Sequence, residues 1–120
     1  MAKRRTDRLN SLLKEVISDV IHKEVKNPKI SPLLTITRVD ISKDLHHAKV
    51  YVSIIGEQTE VKQTMQELGK SSGFISQASA KKVVLRFFPK LQFVYDDSVD
   101  KHMRIEELLK QIHKDEPNAN

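Results

Sequence analysis

Leu68-Gly69-Lys70-Ser71-Ser72-Gly73-Phe74-Ile75 is the stretch on which the fold turns. Its two glycines lie between two helical patterns, and glycine is among the poorest residues inside a helix. The stretch therefore predicts a kink or tight joint rather than one unbroken helix. Upstream, Val61, Met65 and Leu68 recur at steps of four and three, a helical stripe that starts after Gly56 and reaches Gly69. Downstream, Phe74, Ile75, Ala78, Val83, Val84, Leu85 and Phe87 predict a second helix that Pro89 ends.

Strand patterns flank this helix pair. The β-branched run Thr35 to Ile41 predicts a strand between Leu33 and Ile41, followed by a turn at Ser42-Lys43-Asp44-Leu45. Next, Ala48, Val50, Val52 and Ile54 alternate with His47, Lys49, Tyr51 and Ser53, which predicts one buried face and one left to solvent or a partner. After Pro89, Leu91, Phe93 and Tyr95 alternate with Gln92, Val94 and Asp96 as a third strand.

Helical patterns stand at both ends. Leu9, Leu12, Leu13, Val16, Ile17, Val20 and Ile21 predict a helix over 7–25, capped by Thr6 or Asp7 and stopped at Asn27-Pro28. Ile105, Leu108, Leu109 and Ile112 predict a last one. The order helix, strand, strand, helix, joint, helix, strand, helix points to an α+β fold. At 120 residues the chain has room for one core, so a single domain over 1–114 with a short frayed polar tail at 115–120 is expected.

Composition narrows the chemistry. With no Cys, disulfides, thiolate metal sites and a Cys nucleophile are excluded, and a reducing cytoplasm suits the chain. No apolar run is long enough for a membrane span or a signal peptide's apolar core. His46, His47, His102 and His113 lack metal-ligand spacing and read as surface residues. Asp96, Asp97 and Asp100 could ligate magnesium in a nuclease, but a turn-capping role fits them better, because no general base accompanies them. No nucleophile elbow is visible, and Gly69-Lys70-Ser71 fails as a phosphate-binding P-loop because Thr64 stands where its first glycine belongs. The chain reads as a binder that needs no cofactor and no metal.

Charge says what it binds. The net charge is +5, and between Lys70 and Tyr95 there are five Lys/Arg and no Asp or Glu. A glycine-bounded helix start offers backbone N–H groups and a positive helix end to a phosphate. Lys70, Ser71, Ser72 and Gly73 form that start, and Lys81, Lys82, Arg86 and Lys90 surround it, with Lys82 and Arg86 expected one turn apart on one helical side. Arg4, Arg5 and Arg8 could act as a basic arm on phosphates. The plain alternatives are a solvated basic face and a solubilising terminus. A protein-interaction module using the basic face of the first helix is a further alternative. Few aromatics are available for a base-stacking platform.

Read together, several strings resemble the ribosome-binding factor A family of bacteria from Arg8 to about Leu109. They are Glu24-Val25-Lys26-Asn27-Pro28-Lys29-Ile30, Val39 to Leu45, Ala48-Lys49-Val50-Tyr51-Val52-Ser53, Ser72-Gly73-Phe74-Ile75, Leu85 to Ser98, and Arg104-Ile105. The resemblance implies a type II KH fold whose Gly-x-x-Gly loop is replaced by a helix-kink-helix carrying Ala-x-Gly, here Ser71-Ser72-Gly73. It implies a cytoplasmic, monomeric, non-enzymatic factor that binds the small (30S) ribosomal subunit and 16S rRNA. Late maturation, processing of the 16S rRNA 5′ end, cold adaptation and release by a ribosome-associated GTPase are implied with it.

Overall fold

The computed structural model describes residues 2–98, with side chains from Thr6 onward. The elements are α1 (Ala2–Lys23), β1 (Leu34–Ile41), β2 (His47–Ile54), α2 (Gln58–Lys70), α3 (Ser72–Ala80) and β3 (Lys90–Tyr95). The expected helix over 105–112, the 115–120 tail, Asp100, His102 and His113 lie outside the described residues.

α1 starts five residues before the expected position, so Thr6 and Asp7 sit inside the helix rather than capping it. Ala2 to Arg5 are good helix formers, and nothing among them stops the helix from extending. At the other end it stops at Lys23, and the Glu24 and Val25 N–H groups both donate to the Val20 carbonyl, at 2.8 and 3.1 Å. Leu13, Ile17 and Val20 are fully buried along its inner face. Burying each such side chain stabilises the fold by about 1.5–3 kcal/mol.

β1 and β2 are antiparallel, β2 and β3 are parallel, and the sheet order is β1-β2-β3. A parallel pair needs a long crossover, and α2 with α3 supplies it. In β1 the pairing steps from Ile36 opposite Val52 to Arg38 opposite Tyr51, leaving Thr37 as the extra residue of a bulge. The bulge resets the alternation, so Leu34 and Ile36 before it and Val39 and Ile41 after it all face the core. Thr37 donates its hydroxyl to Asp96 Oδ2 at 2.7 Å and lies 3.3 Å from the Tyr51 carbonyl. That contact ties the bulge to the residue that follows β3.

The core lies between the sheet and the helices. Val50, Val52 and Ile54 of β2 meet Leu68 of α2 and Ile75 of α3, all at most 1 % exposed. α1 packs on β1 and α3, while α2 and α3 pack on β3. The Ile41 N–H donates to Asn10 Oδ1 at 2.8 Å, which fastens α1 to β1. The hairpin turn is held by Asp44, whose Oδ1 accepts from the Ser42 hydroxyl and the His46 N–H, and Leu45 takes a left-handed φ of 64°.

α3 is shorter than its apolar spacing suggested. It ends at Ala80, where the Lys82 N–H closes the last turn onto the Ser79 carbonyl at 3.0 Å. Val83 to Phe88 then run as a connection in which Leu85 and Phe88 pack against the core and Pro89 is buried. The chain must return to the edge of β2 to build β3, and a helix continued to Phe87 would carry it away.

Candidate nucleic-acid interface

The joint is a single residue. α2 ends at Lys70, α3 begins at Ser72, and Ser71 between them has φ −90° and ψ 0°. The Ser71 N–H still donates to the Glu67 carbonyl at 2.9 Å, and the Ser71 carbonyl already accepts from the Ile75 N–H at 2.9 Å. The break thus falls on Ser71, and neither flanking glycine needs a left-handed backbone. A Cβ built on Gly69 or Gly73 meets nothing within 4 Å. Both glycines leave bare backbone on open surface, where another molecule can approach closely.

Ser71 makes no side-chain cap, so the first-turn amides of α3 lack an acceptor from that hydroxyl. Gly69 and Ser72 open onto a cleft of about 740 Å³ whose walls include Met65, Lys49, Lys90 and Phe93. Ser71 and Phe74 line a smaller depression on another side, with Asn27 and Pro28. Asn27 fixes that side by donating its Nδ2 to Glu67 Oε1 at 3.0 Å, while its Oδ1 accepts the Lys29 N–H.

Glu67 is shared. Its carboxylate also lies 3.3 Å from the Lys70 ammonium. The Asn27 hydrogen bond first, and Lys70 with it, hold the Glu67 carboxyl below the usual carboxylate range. Lys70 is therefore steadied at the joint on a mostly exposed side chain, and its outer surface remains available.

The other candidates divide into groups. Lys90 opens β3 and stands on the cleft beside Gly69 and Ser72. Lys81 and Arg86 are exposed beyond the far end of α3, with the Arg86 guanidinium 5.7 Å from the Phe87 ring centroid. Arg8 is exposed on α1, and Arg4 and Arg5 belong to α1 with side chains outside the described part. The expected Lys82–Arg86 stripe does not form, because α3 has ended before either residue. Lys82 turns instead to Asp19 and Glu24, at 3.1 and 3.0 Å. Both pairings, Glu24 first, push the Lys82 ammonium pKa upward.

Lys49 was not among the residues expected on the site, although strand alternation placed it on the outward face of β2. Phe74 and Phe87 were both expected on the apolar positions of one helix, but only Phe74 lies in α3, and they are 52 % and 68 % exposed. Asp96 takes the structural role: it accepts the Ser98 hydroxyl at 2.6 Å and N–H at 3.0 Å, besides Thr37. Among the described residues no three His, Asp or Glu side chains gather as a metal site, and no helix is long and apolar enough to cross a membrane.

The sequence profile of the family described as Ribosome-binding factor A matches residues 5–109. The chain belongs to the ribosome-binding factor A family. Ribosome-binding factor A of Protochlamydia amoebophila is 57% identical over 115 residues, covering 96% of this chain and 88% of that protein. The crystal structure of ribosome-binding factor A from Thermus thermophilus is 27% identical with a TM-score of 0.67, covering 75% of this chain and 94% of its own. A Thermus thermophilus ribosome-binding factor A homology model, fitted into the cryo-EM map of a 30S complex, is 25% identical with a TM-score of 0.60. It covers 73% of this chain and 91% of its own. The α+β layout, with a helix-joint-helix crossover between parallel strands, is the KH-like fold of ribosome-binding factor A.

Proposed function

We propose that this chain binds the small ribosomal subunit by holding phosphates of 16S rRNA, and that it assists late maturation of that subunit, including processing of the 16S rRNA 5′ end. One observation carries the reading. The acid-free segment from Lys70 to Tyr95 folds so that Ser72 at the start of α3 and Lys90 meet the bare Gly69 at one open cleft, with Gly73 exposed one residue further along α3. The Thermus relative seen in a 30S complex supports the ribosome as partner.

Lys70, Ser72 and Gly73 with Lys90 form the near contact, and Lys81 and Arg86 extend it past the end of α3. Arg4, Arg5 and Arg8 lie on α1 as further phosphate contacts. Lys82 serves the scaffold and Ser71 the joint. The chain works as a cytoplasmic monomer by binding rather than catalysis, takes no cofactor, and leaves with the help of a ribosome-associated GTPase. A role in cold adaptation goes with such a factor, because structured RNA is harder to rearrange at low temperature.

Co-sedimentation of a Lys70→Glu/Lys81→Glu variant with purified small subunits tests the reading, once circular dichroism shows the fold intact. Neutralised phosphates release counterions, so each lost contact weakens binding and flattens its dependence on log salt by about one unit. Unchanged affinity and slope would remove this face from the interface.

A further inference from the structure

The connection from Lys81 to Pro89 is anchored at its root and bare at its tip. Lys82 bridges Asp19 and Glu24, Leu85 and Phe88 pack against the core, and Pro89 is buried. The same anchors hold Val84 and Phe87 outward, at 103 % and 68 % exposed. Arg86 lies between them with its guanidinium 5.7 Å from the Phe87 ring centroid, and Lys81 is exposed at the base.

Single exposed apolar residues are ordinary on protein surfaces. Here two share one anchored loop with two exposed cations, in a segment without an acidic residue. A phosphate backbone alone would use the cations and leave the aromatic ring idle. An apolar protein surface would use Val84 and Phe87 but would desolvate the cations without pairing them. An unpaired nucleotide matches both, having a flat base to stack and a phosphate to pair.

We infer that the 81–89 loop receives an unpaired RNA base on the Phe87 ring, with Arg86 widening the stacked surface, Val84 against the neighbouring sugar or base, and Lys81 on the adjoining phosphate. The inference rests on the RNA-binding function proposed above and adds to it a preference for single-stranded RNA over duplex. The joint is the phosphate-holding part of the interface, and the loop is the part that senses whether a base is free.

The chain has no Trp, so Phe87→Trp places one indole at the tip as a reporter. Wild type, Phe87→Ala, Phe87→Trp and the Lys70→Glu/Lys81→Glu variant are titrated with a labelled single strand of roughly ten nucleotides, the matching RNA duplex, and purified small subunits. Phe87→Ala is expected to weaken single-strand binding roughly 5- to 50-fold with an unchanged salt slope, because stacking releases no counterions. Phe87→Trp is expected to restore the affinity, with its emission quenched by the single strand and not by the duplex.

Single-strand affinity unchanged by Phe87→Ala, or Trp emission unchanged at saturating RNA, overturns the inference. If at the same time Lys70→Glu/Lys81→Glu weakens both RNAs, the RNA-binding function stands without the stacking. Loss confined to small subunits in Phe87→Ala, with both RNAs bound as before, assigns the loop to a ribosomal protein and also overturns it. Wild-type protein that binds neither RNA nor small subunits overturns both readings.

Discussion

Lys82 and Asp19 are 63 residues apart in the chain, and their charged groups are 3.1 Å apart in the fold. Asp19 also pairs with Lys23 at 2.8 Å, and the two lysines, Lys23 first, hold its carboxyl below the usual carboxylate range. Lys81, one residue away, stands exposed. Lys82→Gln should therefore leave the salt slope of small-subunit binding unaltered, whereas Lys81→Gln should lower it by about one. Equal slopes for the two variants in salt titrations would contradict this division of labour.

Gly69 and Gly73 lie in helical backbone with open space where a side chain would go. Alanine at either position should stabilise the isolated protein by up to about 1 kcal/mol, since glycine is the poorer helix residue. If rRNA packs on the bare backbone there, the same substitutions should weaken small-subunit binding several-fold. A rise in the urea midpoint with unaltered binding would show that nothing approaches the glycines.

The Thr37 and Ser98 contacts give the end of β3 a defined response to acid. Hydrogen bonds from the Ser98 hydroxyl, then from Thr37 and the Ser98 N–H, hold the Asp96 carboxyl down at about 2, below its ordinary 3.8. A depressed folded-state value means that the contribution is complete above pH 3.8 and is lost as pH falls through about 2. Thr37→Val should move the Asp96 titration upward in carboxyl-carbon NMR and cost about 1 kcal/mol at neutral pH for the lost hydrogen bond. That cost should shrink as pH falls from the raised midpoint of the variant towards about 2, where the aspartate of both proteins takes up its proton. A titration midpoint identical in both proteins would rule out the latch.

Leu45 occupies the left-handed region at φ 64°, which costs a residue with a Cβ about 1 kcal/mol or more. Its side chain is 44 % exposed, so little packing is lost on removing it. Leu45→Gly or Leu45→Asn should raise the thermal midpoint without changing small-subunit binding. A lowered midpoint in both variants would show that the leucine side chain matters more than the backbone strain.

Local patterns carried most of the fold. The alternation in β2 marked Ala48, Val50, Val52 and Ile54 as inward, and the joint was readable at Gly69 to Gly73 because both helices announce themselves beside it. The bulge was not readable. Thr37 looks like any other β-branched strand residue, and only its pairing across β2 and its contact with Asp96 single it out. The end of α3 was also hidden, since Val83 to Phe87 keep an apolar spacing compatible with a helix while the return to β3 requires a loop. Among the candidate site residues, Lys70 to Gly73 lie together in the sequence, and the cleft brings Lys90 to Ser72 of that group. Lys82 could not be sorted from Lys81 by sequence, because the carboxylates that claim it lie on and just beyond α1.

Ser71 is the whole of the link between α2 and α3, and so short a link has no slack. The Ser71 N–H and carbonyl are both held in helical hydrogen bonds, to the Glu67 carbonyl and the Ile75 N–H, and a change in the angle between the two helices would strain them. A longer loop at this place would have to be frozen by its partner on every encounter, at the expense of affinity. Here the shape stands ready beforehand, so under the proposed function the RNA would be the party that adjusts, and a strand that has not yet reached its final arrangement would adjust most readily.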